Sequence, residues 1–252
     1  HILTIILGKY YSDKDAGYFS QAHKWNYMGH SLISGMVNGV AQPVLVSTGD
    51  ERERLQRVFR KMLRFTAFIS FPALWGLALI VPELIPLAIT DKWLPCVPIL
   101  QMLCIGGAFI PIITLYTNLI ISRGRSDIYM FGTIAIGLIQ MLVMWLLHPY
   151  GMQRMVVVYV ILNSCWLLVW HYFVWCEIKL SLLSTLKDLL PFAAITAMVL
   201  FATYHLTACI ANAYLLMLSK IVVAALLYIG IMWLSGAKIF KESIQFLFKR
   251  KV

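Results

Sequence analysis

The sequence predicts an all-α fold, a polytopic transmembrane helix bundle. Of its 252 residues 61% are hydrophobic and 13% are charged, whereas soluble proteins are roughly half apolar and a quarter charged. The mean hydropathy is +0.80. Apolar stretches of about 20 residues, long enough as helices to span a hydrocarbon core of about 30 Å, follow one another with short connections. Transmembrane strands would instead appear as alternating runs of about ten residues, and the sequence has no such runs.

Seven segments qualify as spanning helices, and we expect them to be free of Asp, Glu, Lys and Arg apart from Lys220. A mid-membrane charge costs roughly 3 kcal/mol on insertion scales, so Lys220 either snorkels outward or faces an interior anionic site. Before these segments, His1–Gly8 is predicted to be the end of a truncated transmembrane helix, because the chain opens without a methionine or a leader pattern. The seven segments are Trp25–Val46, Phe65–Ile89, Val97–Ile121, Ile128–Leu147, Met155–Cys176, Leu189–Ile210 and Tyr214–Leu234.

The distribution of basic residues predicts the orientation of the chain, because Lys and Arg in short loops are retained on the cytoplasmic side. One set of alternate loops, together with the C-terminus, holds about fifteen of the 21 Lys and Arg residues, and the opposite set holds about five. The C-terminus is therefore predicted to be cytoplasmic. The basic residues of the cytoplasmic set are Arg52, Arg54, Arg57, Arg60, Lys61, Arg64, Arg123, Arg125, Lys179, Lys187, Lys238, Lys241, Lys249, Arg250 and Lys251.

Two further stretches are amphipathic. In the stretch at about 50–64, the side chains of Leu55, Phe59, Leu63 and their neighbours Val58 and Met62 recur at the spacing of one helical face. We expect this helix to lie along the membrane surface, as an anchor continuous with the neighbouring span. The basic tail at 238–252 repeats the pattern, and its Lys and Arg residues are expected to reach the anionic headgroups of membrane lipids.

Composition and motifs disfavour several classes of function. The net charge of +10 lies in short loops and not on one polar face, so no nucleic-acid partner is expected. The 5 cysteines lack C-x-x-C spacing, and we expect neither a metal site nor a cofactor. None of the motifs H-E-x-x-H, G-x-S-x-G or G-x-x-x-x-G-K-[ST] occurs. We therefore expect a transporter, not an enzyme, and no catalytic residues.

Neutral polar residues inside the predicted spans are candidate cavity residues. Ser31, Ser34, Asn38 and Gln42 step by three and four in the first span, so they fall on one helical face. Such a face suits either packing against another helix or lining a watery path. Asn118 in the third span is a further candidate.

The order of these features resembles the C-terminal half of Wzx-type polysaccharide flippases (O-antigen, teichuronic-acid or colanic-acid-like). These belong to the multidrug/oligosaccharidyl-lipid/polysaccharide exporter superfamily. The stretch LGKYYSDKDAGYFSQAHKW is similar to a family signature that places glycines, a tyrosine and an alanine as Gly8, Gly17, Tyr18 and Ala22 are placed here. The segments that follow in the family's order are AQPVL, GDERERLQRVFRK, FPALWGLALI, DKW before PILQ, and SRGRSD.

The resemblance implies two pseudo-symmetric bundles of six spans around a cavity that opens alternately to each side, with two extra C-terminal helices. This chain would supply the second lobe at 9–176 and the two helices at 177–237. The implied substrate is an undecaprenyl-diphosphate-linked oligosaccharide, moved across the bacterial cytoplasmic (inner) membrane for surface polysaccharide and lipopolysaccharide biosynthesis. The implied partners are this lipid-linked oligosaccharide, membrane lipids, and the polysaccharide polymerase and chain-length machinery.

The resemblance also implies binding residues. Lys24 matches the position near the start of a span where related flippases place a basic residue facing the cavity, and it is the expected phosphate contact. Arg125 lies in a Gly-Arg turn on the predicted cytoplasmic side, where it meets an incoming headgroup or serves topology. Where the family often has a proline after the basic residue, this sequence has NYMGH, which puts the local kink in doubt. The remaining expected substrate-binding residues are Asn38, Gln42, Asn118 and Lys220.

Two rival functions remain. A cation-coupled multidrug antiporter of the same superfamily would carry a carboxylate within the spans, and we expect none in this chain. A membrane polysaccharide polymerase or ligase would need a long outer loop bearing Arg and His, and no predicted loop is long enough.

Overall fold

The computed structural model of the protein describes residues 12–49 and 51–234, which form α-helices joined by short turns and contain no strand. All seven predicted segments are helical over most of their length, which confirms the all-α polytopic helix bundle. The predicted helix end at His1–Gly8 and the predicted tail at 238–252 lie outside the described residues. The helices are α1 (Asp13–Ser47), α2 (Arg52–Ala88), α3 (Val97–Gly107), α4 (Ile110–Ser122), α5 (Ser126–Leu147), α6 (Met152–Ile178), α7 (Leu182–Thr207) and α8 (Ala213–Leu234).

Helix α1 begins well before the predicted span. The hydroxyl oxygen of Ser12 accepts a hydrogen bond from the backbone N–H of Asp15 at 3.2 Å, which caps the helix. The helix then continues through NYMGH and ends before Gly49, whose φ of +74° is a conformation that glycine adopts at little cost. The part of the signature stretch from Asp13 onward and the first predicted span therefore form one helix.

Helix α2 runs without a break from Arg52, inside the amphipathic stretch predicted at about 50–64, into the following span. Its apolar residues Leu55, Phe59 and Leu63 are at most 2% exposed, because they pack into the protein core. The structure shows the expected continuity between the amphipathic stretch and the span that follows it. These three side chains are covered by protein, and the expected position of the helix along the membrane surface stays a prediction.

The third predicted span is interrupted. Helix α3 ends at Gly107 and α4 begins at Ile110, with Pro111 in its first turn. Proline lacks an N–H and its ring clashes with the carbonyl four residues earlier, here that of Gly107, so one continuous helix is unfavourable. The hydroxyl of Ser70 on α2 donates to the Ala108 carbonyl at 2.6 Å and satisfies one acceptor freed by the break.

Six helical stretches in the described chain are long and apolar enough to cross a membrane by length and composition, and α1 is not among them. The prediction of a spanning segment at Trp25–Val46 is therefore not confirmed on composition, because amide, imidazole and hydroxyl side chains lower its hydropathy. The six stretches are Arg52–Ala88, Asp91–Ser122, Ser126–Tyr150, Met152–Ile178, Leu182–Thr207 and Ala213–Leu234.

The helices pack in three groups. Helices α1, α2, α3 and α4 contact one another and contain most of the largest buried side chains, such as Tyr116, Phe59 and Phe71. Helix α6 packs on α3 and α4, and α5 lies outside it. Helices α7 and α8 pack on each other and on α2. Helix α2 is thus the element that joins the first four helices to the C-terminal pair.

Candidate functional site

One face of α1 is polar and exposed. Lys24, Asn38 and Gln42 are exposed, and Ser31 between them is partly buried. Lys24 and Gln42 are about five helical turns apart, so they share one angular position and are about 27 Å apart along the axis. We call these four residues the polar face. Helix α1 lies beside α2 and α4, which belong to membrane-length apolar stretches. Polar groups at that depth face protein or water, so this face needs a polar cover or solvent.

The structure brings two of the predicted residues together. The Asn118 side-chain amide donates to Oδ1 of Asn38 at 2.7 Å and to the Thr114 carbonyl at 2.8 Å. Asn118 is 6% exposed, whereas Asn38 lies at the surface. The polar residues of α1 were expected either to pack against another helix or to line a watery path. Asn38 packs against another helix, because it binds Asn118 of α4. Lys24 and Gln42 remain exposed and available to line a watery path.

Arg125 lies away from the polar face, in the turn between α4 and α5. Its guanidinium is 3.6 Å from Asp127 and 3.6 Å from Glu177, and half of its side chain is exposed. Arg123 also pairs with Glu177, at 3.8 Å. Because Arg125 is already balanced by two carboxylates, an incoming anionic headgroup would have to compete with them. A substrate contact at Arg125 stays a prediction.

Lys220 is buried and has an anionic partner. Its Nζ lies 2.6 Å from Oε1 of Glu83 and also donates to the Leu79 carbonyl at 3.3 Å. Lys220 was expected either to snorkel outward or to face an interior anionic site, and the structure shows the interior anionic site. Lys220 also borders a mainly apolar cavity of about 650 Å³ between α2, α7 and α8, with Gly29 of α1 at its edge.

Glu83 corrects the expectation that the spans lack carboxylates. It lies inside the predicted span Phe65–Ile89, between Pro82 and Pro86, and its side chain is 12% exposed. The sequence signal that could have found it was an acidic residue isolated in an apolar run. A missing carboxylate therefore no longer counts against a cation-coupled antiporter.

A second buried carboxylate, Asp188 at the start of α7, was also missed. Arg60 of α2 binds it with two hydrogen bonds, of 2.6 and 3.1 Å, and Arg64 lies 3.9 Å away. The Asp188 side chain is 6% exposed. Both arginines are basic residues that sequence analysis assigned to membrane orientation alone. They also hold α7 to α2.

Comparisons with known proteins support the predicted resemblance. Residues 1–98 match a protein-family model described as "Polysaccharide biosynthesis protein". An "Uncharacterized membrane protein in cps region" of Klebsiella pneumoniae is 36% identical over 98 residues, which cover 39% of this chain and 20% of that protein. The "Lipopolysaccharide biosynthesis protein WzxC" of Escherichia coli (strain K12) is 27% identical over 128 residues, 51% of this chain and 26% of that protein.

A longer match covers most of the chain. The "Teichuronic acid biosynthesis protein TuaB" of Bacillus subtilis (strain 168) is 25% identical over 204 residues, 80% of this chain and 42% of that protein. No solved structure is significantly similar. The chain thus spans less than half the length of these curated relatives. Together the matches confirm the resemblance to the Wzx-type polysaccharide biosynthesis family.

Proposed function

We propose that this chain, a relative of Wzx-type polysaccharide biosynthesis proteins, forms one lobe of a flippase for lipid-linked oligosaccharide. The substrate would be an undecaprenyl-diphosphate-linked oligosaccharide that moves across the bacterial cytoplasmic membrane. The observation that carries the proposal is the polar face of α1, which exposes Lys24 and Gln42 beside apolar helices of membrane length. In the proposed orientation the C-terminus is cytoplasmic, and polymerase and chain-length machinery act with the protein.

The chemistry of the face suits this substrate. A diphosphate moving through a low-dielectric region needs a cation, and a sugar chain needs amide or hydroxyl partners. Lys24 supplies an ammonium group, and Ser31, Asn38 and Gln42 supply hydroxyl and amide groups on the same side of one helix. The polyprenyl tail can remain in lipid. A second polar surface opposite α1 would complete the cavity, as in transporters built from two repeats.

The first test replaces Lys24 in the complete gene product, expressed in cells that lack their own flippase. Lys24→Ala should leave lipid-linked oligosaccharide in the inner leaflet, because the diphosphate loses its cation, whereas Lys24→Arg should restore transport. Lys14→Ala is the matched control, because Lys14 is an exposed lysine at the start of the same helix. Leaflet-specific labelling of the sugar at equal protein levels gives the measurement.

The outcomes of this test separate two claims. If the wild type moves no lipid-linked sugar, the flippase proposal fails. If the wild type and both Lys24 variants transport equally, the flippase proposal stands and Lys24 is not the phosphate contact.

A cation-coupled drug antiporter is the second candidate, and Glu83 is the observation that favours it. A buried carboxylate is the group such a protein uses to bind a cation. Here Lys220 Nζ, at 2.6 Å, already neutralises Glu83, so a cation would have to displace an ammonium group. Glu83→Gln in cells exposed to cationic drugs tests this candidate. At equal protein levels in the membrane, a flippase predicts no change in drug susceptibility, and an antiporter predicts loss of resistance.

A membrane polymerase or ligase is less compatible with the described helices. The predicted outer connections at 89–96, 148–151 and 208–212 are short turns. Such turns offer little room for a catalytic loop. We therefore propose transport without covalent chemistry by this chain.

A further inference from the structure

The cavity that Lys220 borders is lined mainly by apolar side chains. It lies between α2, α7 and α8 and has a volume of about 650 Å³. The space exists because small residues face it, and a Cβ added at Gly76 would meet no heavy atom within 4 Å. Among the described residues that line it, the polar side chains are those of Thr196, Lys220 and Tyr228. The small residues of the lining on α2 and α8 are Ala73, Gly76, Ala224 and Ala225.

The polar groups of the lining leave no net charge for a ligand to bind. Nζ of Lys220 pairs with Glu83 at 2.6 Å, and the hydroxyl of Tyr228 donates to the Phe68 carbonyl at 2.9 Å. A charged headgroup would have to break the ion pair, whereas an uncharged chain would leave it intact. The remaining polar group is the hydroxyl of Thr196, a residue that is 1% exposed. The lining therefore suits a hydrocarbon ligand.

The cavity lies in the middle part of the α8 span. Its lining on α8 runs from Lys220 to Ile229, about 14 Å along a helix of about 33 Å, and begins about 10 Å from the start of the helix. Lipid headgroups lie outside the hydrocarbon core of a bilayer. Ile221 and Ile229 line the cavity and are 44% and 48% exposed, so the cavity reaches the protein surface beside them. A hydrocarbon chain of the surrounding lipid can enter there.

We propose that one acyl chain of a bilayer phospholipid occupies this cavity, inserted between α2 and α8. A methylene group takes up about as much volume as a water molecule, roughly 30 Å³, so the cavity holds about twenty such groups. One acyl chain is of that size, whereas an undecaprenyl chain is much larger. An empty space would deprive the surrounding side chains of dispersion contacts, and a lipid chain restores them. The proposal is independent of what the protein transports.

The contacts at the two ends of the cavity show where it can be filled. The ion pair of Lys220 and the hydrogen bond of Tyr228 both join α8 to α2. Gly76 lies about midway between these two contacts along α2, and Ala224 lies midway between them along α8. The two small residues therefore face the same part of the cavity. A leucine in place of Gly76 would occupy the space beside Ala224.

Photolabelling tests the proposal on the complete protein in nanodiscs. The nanodiscs contain phosphatidylethanolamine and phosphatidylglycerol whose acyl chains end in a diazirine, and mass spectrometry locates the labelled residues. Ala224 should be labelled several-fold more than Ala193. Ala193 is the matched control, because it is also a partly buried alanine of the C-terminal pair but does not line the cavity. Equal labelling of the two alanines would overturn the proposal.

A variant that fills the cavity tests whether the labelled chain lies inside it. Gly76→Leu should lower the labelling of Ala224 to the level of Ala193. Gly230→Leu is the matched control, since a Cβ at Gly230 also meets no heavy atom within 4 Å and the residue lies outside the lining, so labelling should stay unchanged. Unchanged labelling in Gly76→Leu would contradict the proposal. The wild-type comparison needs no variant and decides the matter if Gly76→Leu does not fold.

Two further arms distinguish other occupants. Thr196→Val replaces the one uncharged hydroxyl of the lining that has no hydrogen-bond partner among the described residues, and an acyl chain predicts unchanged labelling of Ala224. A several-fold change would indicate a polar ligand and overturn the proposal. Undecaprenyl phosphate added to the nanodiscs should also leave the labelling unchanged, whereas its loss would assign the cavity to a polyprenyl chain instead. None of these outcomes bears on the transport test, so the two proposals fail separately.

Discussion

A lysine ammonium inside an apolar helix bundle needs an anionic partner, and Lys220 has one in Glu83. Their N–O distance is 2.6 Å, and the side chains are 6% and 12% exposed. Both lie roughly 8–10 Å inside the ends of their helices, at the same side of the bundle. Desolvation offsets much of the attraction in such a pair, but removal of one partner leaves the other charge buried and unpaired. The pair therefore sets the position of α8 on α2 more than it adds stability.

A buried pair of this kind predicts an asymmetry between single and double variants. Lys220→Met should destabilise the protein by about 3–5 kcal/mol, because it leaves the Glu83 carboxyl group buried without its partner. The double variant Lys220→Met with Glu83→Gln should recover most of that loss. Denaturant unfolding in nanodiscs, followed by tryptophan fluorescence, gives the free energies.

The matched control is an exposed ion pair. Arg57 and Glu51 are 4.0 Å apart, and their side chains are 71% and 63% exposed, so Glu51→Gln should be nearly neutral. A double variant as unstable as Lys220→Met alone would contradict the account of the pair.

Sequence could place Lys220 in a span but could not supply its partner. Glu83 is 137 residues away along the chain, and only the packing of α2 against α8 brings them together. The same holds for Asn118 and Asn38. The type and depth of a polar residue are local properties, whereas its partner depends on the tertiary fold.

Helix α5 contacts only part of the bundle, namely α6 and α4. Most of its long apolar side chains, such as Phe131 and Leu138, are exposed. Its close contacts with α6 are at two depths, where Gly132 lies under the Trp170 ring and Gln140 donates to Asn163 at 3.1 Å. The absence of a Cβ at Gly132 is what lets the indole approach.

Gly132→Ala should therefore loosen α5 from α6. A Cβ at this position would lie 2.5 Å from Cη2 of Trp170, and an aromatic ring cannot bend away. We expect a loss of about 1–3 kcal/mol, the usual cost of overpacking. Unfolding in nanodiscs and the fluorescence of Trp170 measure it.

Gly230→Ala in α8 is the control for the same substitution. A Cβ there would meet no heavy atom within 4 Å, so the change should be neutral or stabilise the helix by up to about 1 kcal/mol. Equal effects of the two substitutions would show that helix propensity, and not the indole contact, decides the result.

At the scale of helices, hydropathy and length were enough to predict most of the fold. The break between α3 and α4 also has a local signal, since Gly106 and Gly107 precede Pro111. The sequence has no local signal for what covers the apolar face of the amphipathic stretch in α2. Whether Leu55 and Phe59 face lipid or protein depends on what packs against them, and periodicity does not distinguish the two.

At the scale of the described bundle, α2 is the helix to which the C-terminal pair, α7 and α8, is attached. Three polar contacts join them at different depths. Arg60 binds Asp188 near the predicted cytoplasmic end, and the Tyr228 hydroxyl donates to the Phe68 carbonyl at 2.9 Å further along. The pair of Lys220 and Glu83 lies near the opposite end. Helices α7 and α8 should therefore move with α2 as one body.

Hydrogen exchange of the complete protein in nanodiscs tests this attachment. Asp188→Asn weakens the contact with Arg60 and should raise deuterium uptake in the first turns of α7, while α5 is unchanged because it lies in another packing group. Glu51→Gln, which alters only an exposed pair, should leave uptake in α7 at the wild-type level. Equal increases of deuterium uptake in α5 and α7 would mean that the whole protein is loosened, and would contradict the attachment of α7 and α8 to α2. An increase confined to α7 means that α2 holds the C-terminal pair through this contact, so motion of α2 must carry α7 and α8 with it.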